Sequence, residues 1–216
     1  MRSARPLLAS LLTLAVAASV GFAEPVALKI DPGHSQVGFN VRHFFTRVPG
    51  NFNEFSGRIL YDEKNVANSS VEVEVKTSSV DTNHERRDNH LRSPDFFAAD
   101  SFPAMTFKST KITPVEGNKF KIEGNLTMRG VTRPVTLDAS FLGMGVVDSK
   151  SGMVRGGWEA TTTVNRKDYG ILWNRVLDQG STMLGDDVNI TLAVEAMKEM
   201  PTTAKPGMSG PKAENK

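Results

Sequence analysis

The chain has 216 residues, with 26 lysine and arginine residues against 24 aspartate and glutamate residues, and it has no cysteine. The absence of cysteine excludes disulfides, thiolate metal sites and a cysteine nucleophile, so the fold has to rely on its apolar core. The near-balance of charge, without a dense basic stripe, argues against a nucleic acid as partner. The length suits one domain with a sizeable core.

The N-terminus has the pattern of a secretory signal peptide. Arg2 and Arg5 form a basic start, residues 7–20 are almost wholly apolar, and Gly21 and Ala23 are the small residues that signal peptidase recognises. The apolar stretch is shorter than the ~20 residues that cross a bilayer. We therefore expect cleavage after Ala23, export from the cytoplasm and no integral membrane span.

Two-residue alternation of apolar and polar side chains recurs along the rest of the chain and predicts strands with one buried face. It is clearest at residues 37–41, 71–75, 120–126, 135–141, 158–164 and 188–196, and weaker at 26–30, 52–61 and 105–107. These eight or nine strands follow one another without long helices, which is typical of a meandering antiparallel sheet. Closing such a sheet into a barrel removes its exposed edges, so we predict a barrel.

Two segments interrupt the alternation. Residues 83–92 are polar and lack β-branched side chains, and with the following residues 93–97 they predict a short helix or two. Residues 165–180 predict a loop or helical turn, and either segment could cover a mouth of the barrel. Residues 198–216 are rich in proline, glycine and lysine and predict a disordered tail, which leaves residues 24–197 as the barrel domain and residues 1–23 as the signal peptide.

No group of residues forms a convincing catalytic set, and we predict neither enzyme activity nor a cofactor. His84 and His90 are six positions apart and would face different sides of a helix, so no metal site is predicted. The mixed charges of residues 81–92 are typical of a solvated helix face or of ion pairs at the rim. Alternatively, guanidinium groups bind the polar or phosphate head of a ligand, and the candidates for this role are Arg86, Arg87, Arg92 and Arg166.

The alternation does not show whether the barrel is hollow or solid. A hollow apolar interior roughly 30 Å long would favour a long-chain ligand, since each buried CH₂ contributes about 0.8 kcal/mol. A solid interior would instead suit a secreted envelope or stress protein that acts through protein interaction, for example as a homodimer.

Seven stretches in a fixed order resemble the YceI family of bacterial periplasmic polyisoprenoid-binding proteins. They are DPGHS (31–35), GNFNEFSG (50–57), RDNHLRSPDFF (87–97), FPAMTFKS (102–109), GNLTMRGVTRPV (124–135), NRKDYG (165–170) and GDDV (185–188). The resemblance implies an all-β fold, an extended antiparallel lipocalin-like β-barrel of about eight strands with one or two short helices. It also implies a periplasmic carrier without catalytic residues, whose pore sequesters a polyprenyl chain or a related amphiphile such as an isoprenoid quinone.

By the same resemblance, thirteen apolar residues are candidates for the pore or its mouth: Phe39, Val41, Phe52, Val73, Val75, Phe96, Phe97, Phe107, Leu126, Leu137, Phe141, Trp158 and Ile171. Their faces are assigned from the alternation, and a register shift of one residue would invert a strand's contribution. Four polar residues also belong to the matching motifs, and we interpret them as buried pairs that pin the helix and loop to the barrel. These four are Asp88, His90, Arg166 and Asp168.

Overall fold

A computed structural model describes residues 25–176 and 182–199. Within them, the structure has one α-helix, α1 (Glu85–Arg92), four short 3₁₀ helices, and eleven strands: β1 (Val26–Ile30), β2 (Gln36–His43), β3 (Thr46–Phe52), β4 (Phe55–Tyr61), β5 (Ser70–Lys76), β6 (Val80–Asp81), β7 (Ala104–Pro114), β8 (Lys119–Met128), β9 (Val131–Asp148), β10 (Met153–Asn165) and β11 (Leu184–Lys198). The expected signal peptide and residues 200–216 of the expected tail lie outside the described residues. The first two residues of that tail are described: Lys198 ends β11, and Glu199 pairs with Arg58. None of the helices in the described part of the chain is long and apolar enough to cross a bilayer.

The strands make a closed antiparallel barrel of eight long strands. β1 and β2 together form one long strand that pairs along β11, and β3 and β4 form the next, pairing with β2 and β1 respectively. The other six long strands are β5, β7, β8, β9, β10 and β11, while the two-residue β6 pairs only with the end of β3. The predicted antiparallel barrel of about eight strands is confirmed.

Side chains alternate between the interior and the outer surface along each long strand, as the sequence pattern predicts. In β11, Val188, Ile190, Leu192 and Val194 line the interior, whereas Thr191 between them is exposed. Strand β7 changes face part-way, because an irregularity in its pairing with β8 near Ser109 inserts one residue. Such a bulge shifts the period, so that Met105 and Phe107 point inward on one side of it and Ile112 on the other.

Helix α1 lies in the segment that connects β5 with β7, as the sequence predicts. His84 caps its N-terminus, accepting a hydrogen bond from the backbone N–H of Arg87 at 3.3 Å. Buried Asp88 accepts hydrogen bonds from the backbone N–H and hydroxyl of Thr82, which fixes the start of the helix. The helix ends before Pro94, since a residue that precedes proline disfavours helical backbone. This anchoring holds α1 across one mouth of the barrel.

A polar cluster outside the barrel holds the break between β1 and β2 against β10 and β11. The Arg155 guanidinium donates hydrogen bonds to the carboxylates of Asp31, at 2.8 Å, and Glu195. His34 contacts the same Asp31 carboxylate at 2.9 Å. Asp31, His34 and Glu195 could in principle ligate a metal, but Arg155 already supplies the positive charge between the two carboxylates. The cluster is therefore a structural one.

Asp31→Asn is expected to lower the free energy of unfolding at neutral pH, with a difference from wild type that disappears on acidification. Hydrogen bonds from His34 and then Arg155 hold the pKa of Asp31 below its ordinary value. A lowered carboxyl pKa contributes stability above the unfolded-state pKa of about 3.9, and that stability is lost as the pH falls through the folded-state pKa. Urea titrations between neutral and acid pH measure this, with Asp138→Asn, an exposed aspartate, as control. A difference that is the same at every pH would contradict the assignment.

Candidate functional site

A cavity of about 920 Å³ runs through the interior of the barrel. Ligand sites in proteins are commonly ~300–1,000 Å³, so this volume is at the upper end of the range. The cavity reaches His84 and Arg86 of the α1 segment at one end and Val66 and Ser69, between β4 and β5, at the other. His84 and Arg86 are themselves exposed, which places the opening, here called the mouth, beside α1.

The barrel is hollow because its tightly packed side chains are concentrated at the two ends. One buried apolar cluster lies at the mouth and includes Phe52, Met128 and Ile171, while a second lies at the base and includes Leu28 and Trp158. Between them, many inward-facing side chains are only partly buried because they border the cavity: Val37, Phe39, Val41, Val73, Leu126 and Ile190. The interior is thus not closed by its own side chains, which counts against the solid-core alternative.

Three aromatic side chains fill the base of the barrel. The ring centroids of Tyr61 and Phe141 are 5.2 Å apart in a stacked arrangement, and Trp158 contacts both rings at 5.6 and 5.5 Å. Burial raises the pKa of the Tyr61 hydroxyl. Aromatic pairs at these separations add to the energy of area burial, so the base is the rigid end of the cavity.

Glycines in the wall keep two phenylalanine rings out of the lumen. Gly50 pairs with Phe39 across β2 and β3, and a Cβ at Gly50 would overlap the Phe39 ring. A Cβ at Gly124 in β8 would likewise overlap the Phe107 ring, and it would also overlap the backbone carbonyl oxygen of Lys108. Because each ring lies over a residue without a side chain, it covers the wall instead of projecting into the cavity. Both glycines were missed as site residues. Gly124 is recognisable in sequence as a glycine on the inward face of the predicted strand at residues 120–126, whereas Gly50 lies outside the predicted strands.

Gly50→Ala is expected to push the Phe39 ring into the cavity and reduce lipid uptake, since the atoms nearest to the added Cβ belong to the side chains of Phe39 and Thr82. Overpacking of this kind costs about 1–3 kcal/mol of stability, so the protein should still fold while losing ligand capacity. Lipid retained through detergent-free purification, measured by native mass spectrometry, reports the effect. Gly145→Ala is the control for added bulk, since a Cβ at exposed Gly145 meets no atom within 4 Å. Unchanged lipid retention by Gly50→Ala would contradict the role given to the glycine.

Twelve of the thirteen predicted pore residues line the cavity: Phe39, Val41, Phe52, Val73, Val75, Phe96, Phe97, Phe107, Leu126, Leu137, Trp158 and Ile171. The exception is Phe141, which is not among the lining residues because its ring packs against Tyr61 and Trp158 at the base. Contact between these residues and a ligand stays a prediction. Trp173, which is not one of the predicted pore residues, also lines the mouth and packs against His90 and Phe96 with ring centroids 5.0 and 5.2 Å apart.

The four candidate arginines differ in how their guanidinium groups are used. Arg87 donates to the hydroxyl and carbonyl oxygens of Thr82, both at 2.7 Å. Arg92 donates to the backbone carbonyls of Ser78 and Val80 and does not line the cavity, so it holds the connecting segment together. Arg166 lines the cavity but is buried and bonded to backbone carbonyls.

Arg86 is the remaining candidate, and it is both exposed and part of the cavity wall. Across residues 25–176 and 182–199, its guanidinium has neither a hydrogen-bond nor an ion-pair partner. Its donors are therefore available at the mouth, where a ligand's polar head would lie.

The four motif residues that we interpreted as buried pairs differ in their burial and in their hydrogen-bond partners. Asp88 and Arg166 are buried and hydrogen-bonded, so the interpretation is confirmed for them. His90 is half-buried and pairs with Asp95 at 2.8 Å on the surface. The interpretation is wrong for Asp168, whose side chain is exposed and whose backbone carbonyl alone accepts a hydrogen bond, from Arg133.

The fold and cavity define an eight-stranded antiparallel barrel that encloses an elongated apolar binding space. The chain belongs to the YceI family, since the model of the YceI-like domain matches residues 28–196. A UPF0312 protein from Pectobacterium atrosepticum is 38% identical over 195 residues, which cover 89% of this chain and 97% of the relative. Protein YceI from Salmonella arizonae is 38% identical over 184 residues, covering 84% and 92% respectively.

Solved structures share the same fold. BcnA from Burkholderia cenocepacia superposes with a TM-score of 0.68 at 22% identity, over 77% of this chain and 98% of BcnA. The YCEI protein from Campylobacter jejuni gives 0.63 at 28% identity, over 89% and 100%. A polyisoprenoid binding domain from Saccharophagus degradans gives 0.57 at 14% identity, over 81% and 99%. At 22% and 14% identity, the first and third of these likenesses show the fold alone.

Proposed function

We propose that this protein is an exported, periplasmic carrier that sequesters one long-chain isoprenoid lipid, a polyprenyl chain or an isoprenoid quinone, in its barrel. The observation that carries the proposal is the cavity, which is hollow, elongated and lined almost entirely by apolar side chains from mouth to base. Water has few polar partners in such a space, and apolar cavities of this kind take up apolar molecules. The polyisoprenoid binding of the Saccharophagus degradans domain with the same fold is consistent with this proposal.

The shape of the cavity favours a chain over a compact ligand. Along β11 the lining extends from Leu184 to Val194. At ~3.3 Å per residue and a strand tilt of about 40°, this stretch covers roughly 25 Å of the barrel axis. A hydrocarbon chain gains about 0.8 kcal/mol for each CH₂ removed from water, so affinity would grow with the length of chain that enters.

Native mass spectrometry of protein purified without detergent tests the proposal directly. We expect a bound lipid mass, and uptake of an added polyprenyl alcohol by protein from which lipid has been extracted. A clean apoprotein mass across preparations, combined with no uptake of added lipid, would contradict it. The same spectra report the mass of the exported chain and so test cleavage after Ala23. They also test the homodimer, which stays a prediction.

Arg86→Gln is expected to weaken binding of a polyprenyl diphosphate about tenfold, since hydrogen bonds to charged groups contribute ~1.5–3 kcal/mol each. Binding of the corresponding uncharged polyprenyl alcohol should be nearly unchanged, because its tail makes the same contacts. Titration calorimetry with both ligands measures the difference, and Lys150→Gln, at an exposed turn remote from the mouth, is the control for net charge. Equal losses for both ligands would show that Arg86 does not contact the head group.

Catalysis is not part of this proposal. The polar residues at the mouth that could act as acids or bases include His84 and His90, and both already have structural partners, as a helix cap and as a partner of Asp95. Turnover of a bound lipid that is lost in a His90→Ala variant would argue for an enzyme instead.

A further inference from the structure

Three exposed apolar side chains lie on two segments at the mouth of the barrel. Phe45, in the turn between β2 and β3, is fully exposed (103%), and Leu172 and Val176, in the segment after the 3₁₀ helix of residues 166–169, are 66% and 70% exposed. We call Phe45, Leu172 and Val176 the apolar rim. Large apolar side chains that gather on one surface often mark a site of interaction with a protein or a membrane.

The two segments of the apolar rim are joined through the backbone. The N–H of Phe44 donates to the carbonyl of Met183 at 2.8 Å, and the N–H of Met183 donates to the carbonyl of Arg175 at 2.9 Å. Ile171 and Trp173, on either side of Leu172, line the cavity. The rim is therefore continuous with the opening through which a ligand would pass.

The turn at Phe44 and Phe45 has a sequence that turn geometry does not favour. Two-residue hairpin turns prefer Asn-Gly, Asp-Gly or Gly-containing pairs because their backbone requires positive φ. Phe44 adopts φ of 52°, and Phe45 has no burial to compensate for its exposure. The Phe44 ring packs edge-on against His43, with ring centroids 4.6 Å apart. Folding gives no such reason for Phe45, and a binding partner for the tip supplies one.

The charges on the hairpin that carries Phe45 are positive. At the neighbouring start of β11, Asp186 pairs with Arg166 and Lys167, and Asp187 is exposed. Arg42 and Arg47 flank the tip and are exposed, and no acidic residue occurs between Asp31 and Glu54 in the sequence. Exposed Arg175 adjoins Val176. Each of Arg42 and Arg47 uses one nitrogen in a hydrogen bond within the hairpin, to the carbonyl of Phe44 and to the Asn40 side chain. Apolar and aromatic side chains beside arginines match the acyl and phosphate layers of an anionic membrane surface.

We propose that the apolar rim docks the mouth of the barrel on a bilayer that contains anionic phospholipid. Phe45, Leu172 and Val176 enter the interface between head groups and acyl chains, and Arg42, Arg47 and Arg175 bind lipid phosphates. This docking rests on the proposed function, because its purpose is lipid transfer. A docked mouth lets an isoprenoid chain pass between bilayer and cavity without exposing its hydrocarbon to water.

Flotation of the purified protein with vesicles of phosphatidylethanolamine and phosphatidylglycerol tests this docking. We expect the protein to float with these vesicles, to bind vesicles of phosphatidylcholine less, and to be released by salt, because screening weakens phosphate contacts. Phe45→Ser should reduce binding about tenfold, the effect of losing one inserted phenylalanine. Leu142→Ser is the matched control, since Leu142 is 60% exposed on the hairpin of β9 and β10 at the opposite end.

The charge contribution has its own pair of variants. Arg42→Gln combined with Arg47→Gln should reduce binding to the anionic vesicles and reduce its salt dependence, while Lys150→Gln at the opposite end should leave both unchanged. Circular dichroism and thermal unfolding confirm that each variant is folded.

Absence of flotation by protein that still carries co-purified lipid would overturn the docking proposal alone. Equal losses of vesicle binding in Phe45→Ser and Leu142→Ser would also overturn it. So would a dimer, detected by sedimentation, that Phe45→Ser dissociates without altering flotation, because the apolar rim would then bind a second copy of the chain. Flotation by protein that binds no isoprenoid would support docking and count against the proposed function, so the two failures are distinguishable.

Discussion

Val73→Phe is expected to abolish lipid retention while leaving the barrel folded and no less stable than the wild type. Val73 lies on β5 between Gly57 of β4 and Phe107 of β7, and it packs at the edge of both apolar clusters. It therefore stands near the middle of the cavity. An eight-stranded barrel is wide enough to hold only side chains or one slender ligand, so a phenyl ring at this height would block the passage.

The stability of this variant separates a hollow barrel from a solid one. In a filled core, an added ring forces side chains off their rotamers and costs about 1–3 kcal/mol. In a hollow apolar interior, the ring gains contacts with the wall and removes apolar surface from water, so the free energy of unfolding should stay equal or rise. Urea titration of lipid-free protein measures stability, because bound lipid would itself stabilise the wild type.

Glu74→Phe is the matched control for Val73→Phe, since it adds the same ring to the outer face of the same strand. Native mass spectra should show lipid in the control and none in Val73→Phe. If Val73→Phe retained the wild-type amount of lipid, the ligand would have to bind elsewhere than in the barrel. If Val73→Phe were instead destabilised, as expected for a filled core, the carrier proposal would lose its main support, the hollow interior.

The alternation of side chains made most of the barrel predictable from sequence, because burial on one face constrains every second residue. The first half of the second long strand was the exception. Residues 46–51 pair with β2 as part of a tight hairpin, but the turn has phenylalanines where glycine or asparagine is expected, and Pro49 lowers the strand signal. The residues of the exposed tip dominate the sequence of this segment. Neither the alternation of side chains nor turn propensity therefore predicted a hairpin there.

The sequence predicted which strand face the cavity residues lie on, but it did not predict whether the barrel interior is hollow. Alternation placed twelve of the thirteen candidates on the wall, whereas the Phe141 ring packs against Tyr61 and Trp158 and is not among the lining residues. Volume depends on where rings lie, and Phe39 and Phe107 lie flat because Gly50 and Gly124 stand beneath them. Such pairings join residues distant in sequence and depend on strand register, which alternation fixes only to the correct face.

Arginine roles were the least predictable part of the site, and Arg166 shows why. Its side chain is 3% exposed, and its guanidinium donates to the carbonyls of Gly185, Ile171 and Trp173 at 2.7–2.9 Å and to the Asp186 carboxylate at 3.0 Å. Burial lowers the pKa of Arg166, and Asp186 opposes that shift. An arginine that binds backbone carbonyls looks the same in sequence as one that binds a phosphate.

Arg166→Ala is expected to cost about 3–5 kcal/mol of stability, since each buried carbonyl left without a donor costs ~1–3 kcal/mol, which lowers the melting temperature by roughly 10 °C for a domain of this size. The loss arises because three carbonyls lose their donor together, while Asp186 keeps only its pair with Lys167. Ile171 and Trp173 line the mouth and depend on these bonds, so lipid retention should fall as well. Calorimetric unfolding and native mass spectrometry of the same samples measure both effects.

The stability of Arg166→Lys should be close to that of Arg166→Ala, because a single ammonium group cannot replace a planar guanidinium that donates to four acceptors. Lys167→Ala is the matched control: its side chain is exposed and pairs with the same Asp186 at 2.8 Å, and exposed pairs contribute only about 0–1 kcal/mol. A full rescue of stability by lysine would mean that charge alone matters at this position. A stable Arg166→Ala protein with weakened lipid binding would instead return Arg166 to the role of a head-group contact, beside Arg86.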